Sequence, residues 1–225
     1  VHPIEEAFAK QKQFISDASH ELKTPIAVIL SNSELLEDQI GTNKQLAYIK
    51  KECDRMHHLV TSLLTLSHLE QTPYVEEEKN TFSLSDALLE RILPLESIAF
   101  EKQITMQYHI IPDISFYGVK EQIQQTAVIL IDNALTYTDK PGQVDITLEQ
   151  TSHHIIFKVS NTGEAIPKED REKLFERFYR RDKARNRTNG HYGLGLSIAR
   201  MIVQNHKGQI HVECKEGLTS FVVTW

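Results

Sequence analysis

Apolar residues recur three or four positions apart over two long stretches at the start of the chain, at 4–40 and 44–70. This spacing predicts two amphipathic helices, and Gly41-Thr42-Asn43 between them is typical of a turn. The apolar stripes consist of Ile15, Ala18, Leu22, Ile26, Ile29 and Leu36 on the first helix and Leu46, Ile49, Cys53, Met56, Val60 and Leu63 on the second. Because two facing helices cover only part of such stripes, we expect the hairpin to form a homodimeric four-helix bundle.

The pattern changes after the second helix. Residues 71–80 carry Pro73 and an acidic run without apolar periodicity, which predicts a linker. Beyond it, β-rich stretches at 104–111, 144–149, 155–160, 209–214 and 220–225 are interleaved with helical patterns at 84–101, 119–138 and 193–206. Strands mixed with helices predict a two-layer α/β sandwich with one sheet. The predicted domains are therefore a helical hairpin at 1–70, a linker at 71–80 and an α/β domain at 81–225.

Composition narrows the range of partners. The chain has 225 residues and a net charge of −6, which argues against nucleic acid as its main ligand. No apolar run approaches the ~20 residues of a membrane-spanning helix, and no segment has the pattern of a signal peptide. Because the chain begins with Val1 rather than Met, we expect a cytoplasmic fragment of a longer protein that is anchored in the cell membrane. Cys53 and Cys214 lie far apart, which indicates neither a zinc site nor a disulfide framework and fits a reducing compartment.

His20 lies on the polar side of the first predicted helix. At about 100° per residue it falls about 160° from the centre of the apolar stripe, and Thr24 follows one turn later. A lone histidine is usually an ordinary surface or core residue, so position alone does not assign it a function. Its neighbours single it out, since Ser19-His20-Glu21-Leu22-Lys23-Thr24-Pro25 resembles the H box of two-component sensor histidine kinases.

Four further segments resemble the nucleotide-binding boxes of that family. They are Asp132-Asn133-Ala134 with Tyr137-Thr138 (the N box), Asn161-Thr162-Gly163 (the first glycine box), Leu174-Phe175-Glu176-Arg177-Phe178-Tyr179-Arg180 (the F box) and Gly193-Leu194-Gly195-Leu196 (the second glycine box). The resemblance covers nearly the whole chain. It implies a dimerisation and phosphotransfer hairpin followed by an ATP-binding domain of the type shared with type II topoisomerases and a heat-shock chaperone.

On the hairpin, the resemblance implies that His20 is the phosphorylated nucleophile. A neutral imidazole, with an ordinary pKa of ~6.5, has a free ring nitrogen for attack on phosphorus near pH 7. Glu21 would then fix the tautomer of the ring, or else be an ordinary solvated carboxylate. Thr24 would hold a water that dephosphorylates a partner, or else only fill the position before Pro25.

In the α/β domain, the resemblance implies an ATP site in which Asn133 is a ligand of Mg²⁺, a cation that prefers oxygen donors. Tyr137 would lie near the nucleotide, with core packing an equal alternative. The other nucleotide-binding residues that the resemblance implies are Asn161, Gly163, Phe178, Arg180, Arg181, Gly193, Leu194, Gly195 and Thr219. Six of the eleven residues at 177–187 are Lys or Arg, which predicts a basic lid, the alternative being a solvated loop. The glycines at 193 and 195 open a helix whose N-terminus suits phosphate.

Several positions depart from the family's pattern. Asn161 stands where the first glycine box usually has Asp, Ala165 where a second glycine is common, and Leu218 where the third glycine box has another glycine. An Asn carbonyl can still accept from the adenine amino group. Because an amide can also turn over to match guanine, we predict weaker discrimination of ATP from GTP than a carboxylate would give.

These observations predict a sensor histidine kinase core in which Mg²⁺-ATP phosphorylates His20 and the phosphoryl group passes to an aspartate of a response regulator. The core would also dephosphorylate that regulator through Thr24. Two alternatives remain: a phosphatase-dominant protein in which nucleotide mainly sets conformation, and a dimeric scaffold with an inert ATP domain.

Overall fold

The computed structural model describes the backbone of residues 2–71, 79–181, 192–215 and 217–225, and their side chains except at 2–20 and 71. The chain divides into two units, a helical hairpin, to which the segment that ends at Leu194 also belongs, and an α/β unit. The hairpin consists of α1 (His2–Ile40) and α2 (Lys44–Gln71), which confirms the two helices predicted from the apolar periodicity.

The geometry of the hairpin follows from a glycine, a capping side chain and an ion pair. Gly41 has a φ of +76°, a conformation that glycine adopts without steric cost. The Asn43 side-chain oxygen accepts from the backbone N–H of Gln45 at 2.8 Å and so caps the start of α2. Lys50 and Glu37 form an ion pair across the hairpin at 2.6 Å. The turn and the ion pair thus fix how the two helices meet.

The apolar stripe of α1 splits between two directions. Ile26 is buried with Cys53 and Val60 of α2, and Leu30 and Leu64 pack against this cluster. A second set of α1 side chains on an adjacent face is about half exposed: Leu22, Ile29, Leu36 and Ile40. As expected from the sequence, one hairpin leaves part of each stripe in contact with solvent.

The α/β unit contains seven strands in its described residues. In chain order its elements are β1 (Asn80–Ser83), α3 (Leu84–Ile92), α4 (Leu95–Glu101), β2 (Ile104–Ile110), β3 (Ser115–Gly118), α5 (Lys120–Tyr137), β4 (Gly142–Gln150), β5 (Ile155–Thr162), α6 (Lys168–Arg171), a 3-10 turn (Lys173–Phe175), α7 (Gly195–Asn205), β6 (Gln209–Lys215) and β7 (Leu218–Thr224). The main sheet has the order β2-β4-β5-β7-β6, with β2 and β4 parallel and the other pairs antiparallel.

The core lies between this sheet and its helices. Alternate residues of β4 are fully buried, namely Val144, Ile146 and Leu148, as expected for a strand with one face on the core. On α5 the predicted core face is confirmed, because Ile123, Ala127, Leu130, Ile131 and Ala134 are all buried. The α/β sandwich predicted from the sequence is therefore present.

Three details of the sequence prediction were wrong. The domain has two sheets, since β1 and β3 pair as a separate antiparallel ribbon. The predicted helix at 84–101 is two helices, broken at Leu93 and Pro94, because proline has no N–H and clashes with the preceding turn. The short α6 was not predicted. Of the predicted linker at 71–80, residues 72–78 lie outside the described residues.

Candidate functional site

The H box lies on an uninterrupted stretch of α1, which continues through Pro25. Glu21 and Thr24 are exposed on this helix. The side chain of His20 lies outside the described residues, so its orientation stays a prediction. The two flanking side chains are open to solvent and accessible to a partner.

Asn133 and Tyr137 lie one turn apart near the C-terminal end of α5. The helix ends at Thr138, whose hydroxyl and N–H both donate to the Ala134 carbonyl, at 2.6 and 3.0 Å. Asn133 is half-buried, and its amide has no hydrogen-bond partner among the described residues. Tyr137 is 45% exposed, so the packing alternative for its ring is only partly met. This end of α5 thus offers a polar group that the protein itself does not use.

Gly163 brings the end of β5 against the end of α5. Its φ is +154°, and a Cβ at this position would lie 2.9 Å from the carbonyl oxygen of Tyr137. Real Cβ atoms essentially never approach backbone oxygen so closely, so any side chain would push β5 away from α5. Glycine at this position therefore lets the segment of the first glycine box lie directly against the segment of the N box.

Asn161 is buried at 3% exposure near the end of β5. Its Nδ2 donates to the carbonyl oxygen of Thr162 at 3.0 Å, which leaves Oδ1 without a donor among the described residues. Thr219 is its neighbour on β7 and is also buried. Turning the Asn161 amide over would place Oδ1 against the Thr162 carbonyl, so this hydrogen bond opposes the rotation that recognition of guanine would need.

The second glycine box leads into α7. Gly193 has a φ of +74°, Leu194 is buried, and α7 begins at Gly195. A Cβ on Gly195 would lie 3.3 Å from Cγ2 of Ile129, which precedes Asn133 by one turn of α5. Gly195 thus begins α7 beside the part of α5 that carries Asn133.

The F box is anchored by one buried ring. Phe175 packs edge-to-face on Phe221 at 6.4 Å, and the Arg200 guanidinium lies 5.5 Å from the Phe175 ring centroid. Tyr179 donates to the Asp170 carboxylate at 2.9 Å, and this bond, with Lys173 nearby, holds the pKa of Asp170 below its usual value. Phe178, predicted to contact nucleotide, is exposed and has a φ of +61°.

The two arginines at the end of the F box differ in their surroundings. Arg181 forms an ion pair with Glu164 and donates to the Ala165 carbonyl at 3.1 Å, so the loop after β5 holds it. Arg180 is half-buried, and its Nε and Nη2 atoms are buried without a hydrogen-bond partner in the part of the chain that the structure describes. Arg180 is therefore the more available of the two for an anion. Most of the predicted lid, 182–191, lies outside the described residues.

Sequence reasoning missed several partners of these residues. They are the Glu164 carboxylate, the Asp170–Tyr179 bond and the Cys214 thiol, which lies 3.5 Å from the Thr219 hydroxyl. These contacts depend on how turns and paired strands orient side chains, which no periodic pattern in the sequence records. Among the described residues, no group of three or more His, Cys, Asp or Glu side chains could hold a metal ion. Any cation at Asn133 would therefore take most of its ligands from a bound substrate and water.

Comparison with protein-family models assigns both units. The His Kinase A (phospho-acceptor) domain matches residues 10–72, and the histidine kinase-, DNA gyrase B- and HSP90-like ATPase matches residues 118–225. The chain belongs to the sensor histidine kinases. The first match contains the H box, and the second contains the other four boxes.

Individual relatives agree. Sensor protein DltS of Streptococcus agalactiae is 39% identical over 210 residues, which are 93% of this chain and 53% of DltS. The catalytic domain of the histidine kinase ThkA has a TM-score of 0.59 at 27% identity, covering 65% of this chain and 94% of that domain. ThkA in complex with the response regulator TrrA has a TM-score of 0.65 at 22% identity, covering 98% of this chain and 63% of ThkA. The chain spans about half the length of the curated relatives it matches. None of its described helices combines the length and apolar character needed to cross a bilayer.

Proposed function

We propose that this histidine kinase core binds Mg²⁺-ATP in the α/β unit, phosphorylates His20 on α1, and passes the phosphoryl group to an aspartate of a response regulator. The observation that carries the proposal is the convergence of Tyr137, Asn161 and Gly163 at the ends of α5 and β5, within the segment that matches the ATPase model. The His20-containing segment matches the phospho-acceptor model. The proposal includes the division into domains that was predicted from the sequence: a phosphotransfer hairpin at 1–70, a linker at 71–80 and an ATP-binding domain at 81–225.

The groups at the ends of α5 and β5 suit an adenine nucleotide. The unpaired Oδ1 of Asn161 would accept from the exocyclic amino group, with Gly163 and Thr219 beside it. The triphosphate would extend past Asn133 towards Gly195 at the start of α7, since a helix N-terminus suits phosphate. Gly193 and Leu194 directly precede Gly195 in the chain and stay predicted phosphate ligands from the resemblance. Arg180, with two unpaired nitrogens, would bind a phosphate oxygen. Phe178 and Arg181 would join only after leaving their present surroundings.

Mg²⁺ fits the half-buried, unpartnered amide of Asn133. An amide oxygen together with phosphate oxygens and water is a common coordination set for this ion. When bound, the ion would neutralise charge that develops on the phosphates. The protein's own contribution is to hold Asn133 on the rigid face of α5, whose opposite face is packed in the core.

On α1, a ring nitrogen of His20 would attack the γ-phosphorus. The new P–N bond forms as the bond to the β–γ bridging oxygen breaks, and ADP leaves with that electron pair. The exposed Glu21 carboxylate would stabilise the imidazolium and accept its proton. In the second step an aspartate of the regulator attacks the same phosphorus and the P–N bond breaks, which restores His20.

The decisive experiment is labelling with γ-³²P-ATP. We expect His20→Ala to abolish acid-labile label while leaving ATP binding unchanged, because the acceptor and the nucleotide site lie on different units. His57→Ala, which changes an exposed histidine of α2, is the matched control and should label normally. Undiminished labelling of His20→Ala would place the acceptor elsewhere.

The Mg²⁺ site has its own test. Asn133→Ala should weaken binding of Mg²⁺-ATP by calorimetry, whereas Gln107→Ala, on the exposed part of β2, should not. Retention of full Mg²⁺-ATP affinity by Asn133→Ala would remove Asn133 from the site.

Dimerisation through the hairpin is the second part of the proposal. Leu22, Ile29 and Leu36 expose 45–50% of their surface on one face of α1, and a second copy would bury them. We expect Ile29→Glu to yield monomers by sedimentation, with Ser31→Glu, on the other side of α1, still dimeric. A dimeric Ile29→Glu would exclude this face.

A phosphatase-dominant protein stays an alternative because Thr24 is exposed on α1 while the nucleotide site departs from the family pattern at Asn161. Decay of the phosphorylated regulator should slow in Thr24→Ala if this activity exists. An unchanged decay rate would assign Thr24 a purely local role.

A further inference from the structure

His206, directly after α7, joins two helices through both of its ring nitrogens. Nδ1 lies 2.8 Å from the carbonyl oxygen of Ile202, and the backbone N–H of Val119 donates to Nε2 at 3.0 Å. A carbonyl only accepts and an N–H only donates, so Nδ1 must carry the proton and Nε2 must be a lone pair. The contacts therefore specify the neutral Nδ1–H tautomer.

The backbone around His206 is fixed as tightly as its ring. Gly208 N–H donates to the Val203 carbonyl at 2.8 Å and Lys207 N–H to the Gln204 carbonyl at 2.9 Å, which is the Schellman arrangement at a helix C-terminus. A Cβ on Gly118 would lie 2.6 Å from Cδ2 of His206. The absence of a side chain at Gly118 therefore makes room for the ring at this position.

The surroundings of the ring disfavour a positive charge. Burial lowers the pKa of His206 below its ordinary value; the Ile202 carbonyl opposes this shift, and Lys79, before β1, adds to it. On β3 the ring faces the aromatic Phe116 at 6.0 Å. On α5 the nearest lysine, Lys120, is paired with Glu90 at 2.9 Å, and Lys207 points to solvent.

We propose that His206 is a proton-sensitive clamp, which holds the C-terminal end of α7 on the N-terminus of α5 only while its imidazole is neutral. A second proton would sit on Nε2 and face the Val119 N–H, so that two donors would oppose each other at 3.0 Å. The ring would then have to leave its contact, and the two helix ends would separate.

The helix α7 connects the clamp to the proposed nucleotide site, because its two ends contact different parts of α5. This helix has 11 residues and is about 16 Å long, with Gly195 against Ile129 at one end and His206 against Val119 at the other. The helices therefore run antiparallel, held at both ends. Release of the His206 end would loosen the support of the predicted phosphate site; this last step rests on the proposed function, whereas the clamp itself does not.

The pH dependence has a definite sign. Because the folded state holds His206 neutral and the unfolded chain has its ordinary pKa of ~6.5, the unfolded state binds more protons at low pH. The stabilisation is complete above about pH 6.5 and is lost as the pH falls towards the lowered pKa. Between pH 7.5 and 5.5 the equilibrium constant for unfolding should rise by up to about 10-fold from this group alone.

The test is urea unfolding of the whole chain without nucleotide at pH 7.5 and 5.5. We expect His206→Gln, whose amide oxygen can still accept from Val119 but does not titrate, to remove this component, of up to about 10-fold, from the pH dependence. His109→Gln, at an exposed position on β2, should keep it. Equal pH dependence in wild type and His206→Gln would overturn the clamp.

A second measurement does not require the variant to fold. NMR of the ¹⁵N-labelled wild type should give the Nδ1–H tautomer for His206 and a titration midpoint below those of the exposed histidines. A midpoint at or above theirs, or the other tautomer, would overturn the proposal. Mg²⁺-ATP affinity measured at both pH values then tests the link to the nucleotide site: failure of the chain to bind ATP at any pH refutes the proposed function and leaves the clamp standing.

Discussion

The choice between adenine and guanine depends on one hydrogen bond that the side-chain amide of Asn161 makes in this structure. Asn161 Nδ2 donates to the Thr162 carbonyl at 3.0 Å, so Oδ1 is the amide atom left to accept from a base. Adenine presents an amino donor there, whereas guanine presents a carbonyl oxygen. To accept guanine, the amide would have to turn over and oppose Oδ1 to the Thr162 oxygen.

The cost of that rotation sets the size of the preference. Losing this hydrogen bond and placing two acceptor oxygens against each other costs about 1–3 kcal/mol, which corresponds to a preference for ATP over GTP of about 5- to 150-fold. The free rotation assumed from sequence alone is therefore opposed, and the wild type should discriminate. Asn161→Asp should widen the ratio further, because a carboxylate repels the guanine oxygen in either orientation and binds an amino group by a charge-assisted bond.

The assay is calorimetric titration of wild type and Asn161→Asp with both nucleotides, after thermal unfolding has established that each variant is folded. Asn80→Asp makes the same chemical change at an exposed residue of β1 and should leave the ratio as in wild type. Equal affinities of the wild type for ATP and GTP would refute the argument from the Thr162 contact. An unchanged ratio in Asn161→Asp would remove Asn161 from base recognition altogether.

Three further predictions follow from the backbone and the core. Gly163→Ala should lower both the melting temperature and the ATP affinity, because its Cβ would lie 2.9 Å from the Tyr137 oxygen; unchanged affinity would contradict the close approach of β5 to α5. Lys207→Gly should raise the free energy of unfolding by about 1 kcal/mol, because Lys207 has a φ of +60° and left-handed backbone disfavours side chains; a lower urea midpoint would contradict this. Phe157→Ala should cost about 3–5 kcal/mol, because its side chain is fully buried in β5; a loss below 1 kcal/mol would contradict the packing.

Hydrophobic periodicity was sufficient to predict the elements that have one buried face. The core face of α5 and the five strands of the main sheet were predictable because a buried face imposes a 3.6- or 2-residue period on the residues that form it. The ribbon of β1 and β3 was not predictable in this way. Its strands have only four residues each, and they pair with Phe82 opposite Phe116. This pairing is decided by contacts between segments that are far apart in sequence.

The residues of the candidate site likewise fall into those that the sequence predicted and those that it did not. The boxes located Asn133, Asn161 and Gly163 because the boxes are local sequence patterns. The orientation of the Asn161 amide and the ion pair between Arg181 and Glu164 depend instead on three-dimensional geometry that no local pattern contains. The same holds for His206, because no local pattern distinguishes it from the other ten histidines of the chain. Its environment is built by Val119 and Phe116, about 90 positions earlier.

The features that the sequence did not predict concentrate at one end of the neighbouring strands β5 and β7, where the buried residues are polar. Ser160 and Ser220 are buried and satisfy each other at 2.8 Å, whereas the next residue of β5, Asn161, is buried with one donor used and its acceptor unused. Further along the same strands, Phe157 and Val223 are apolar and fully buried. A buried amide that makes one hydrogen bond contributes less to stability than an apolar side chain that extended the core at 161. Gly163 lets α5 approach the same end of β5, and the amino group of a bound adenine would donate to the Asn161 oxygen, so a polar residue at this position suits binding rather than packing.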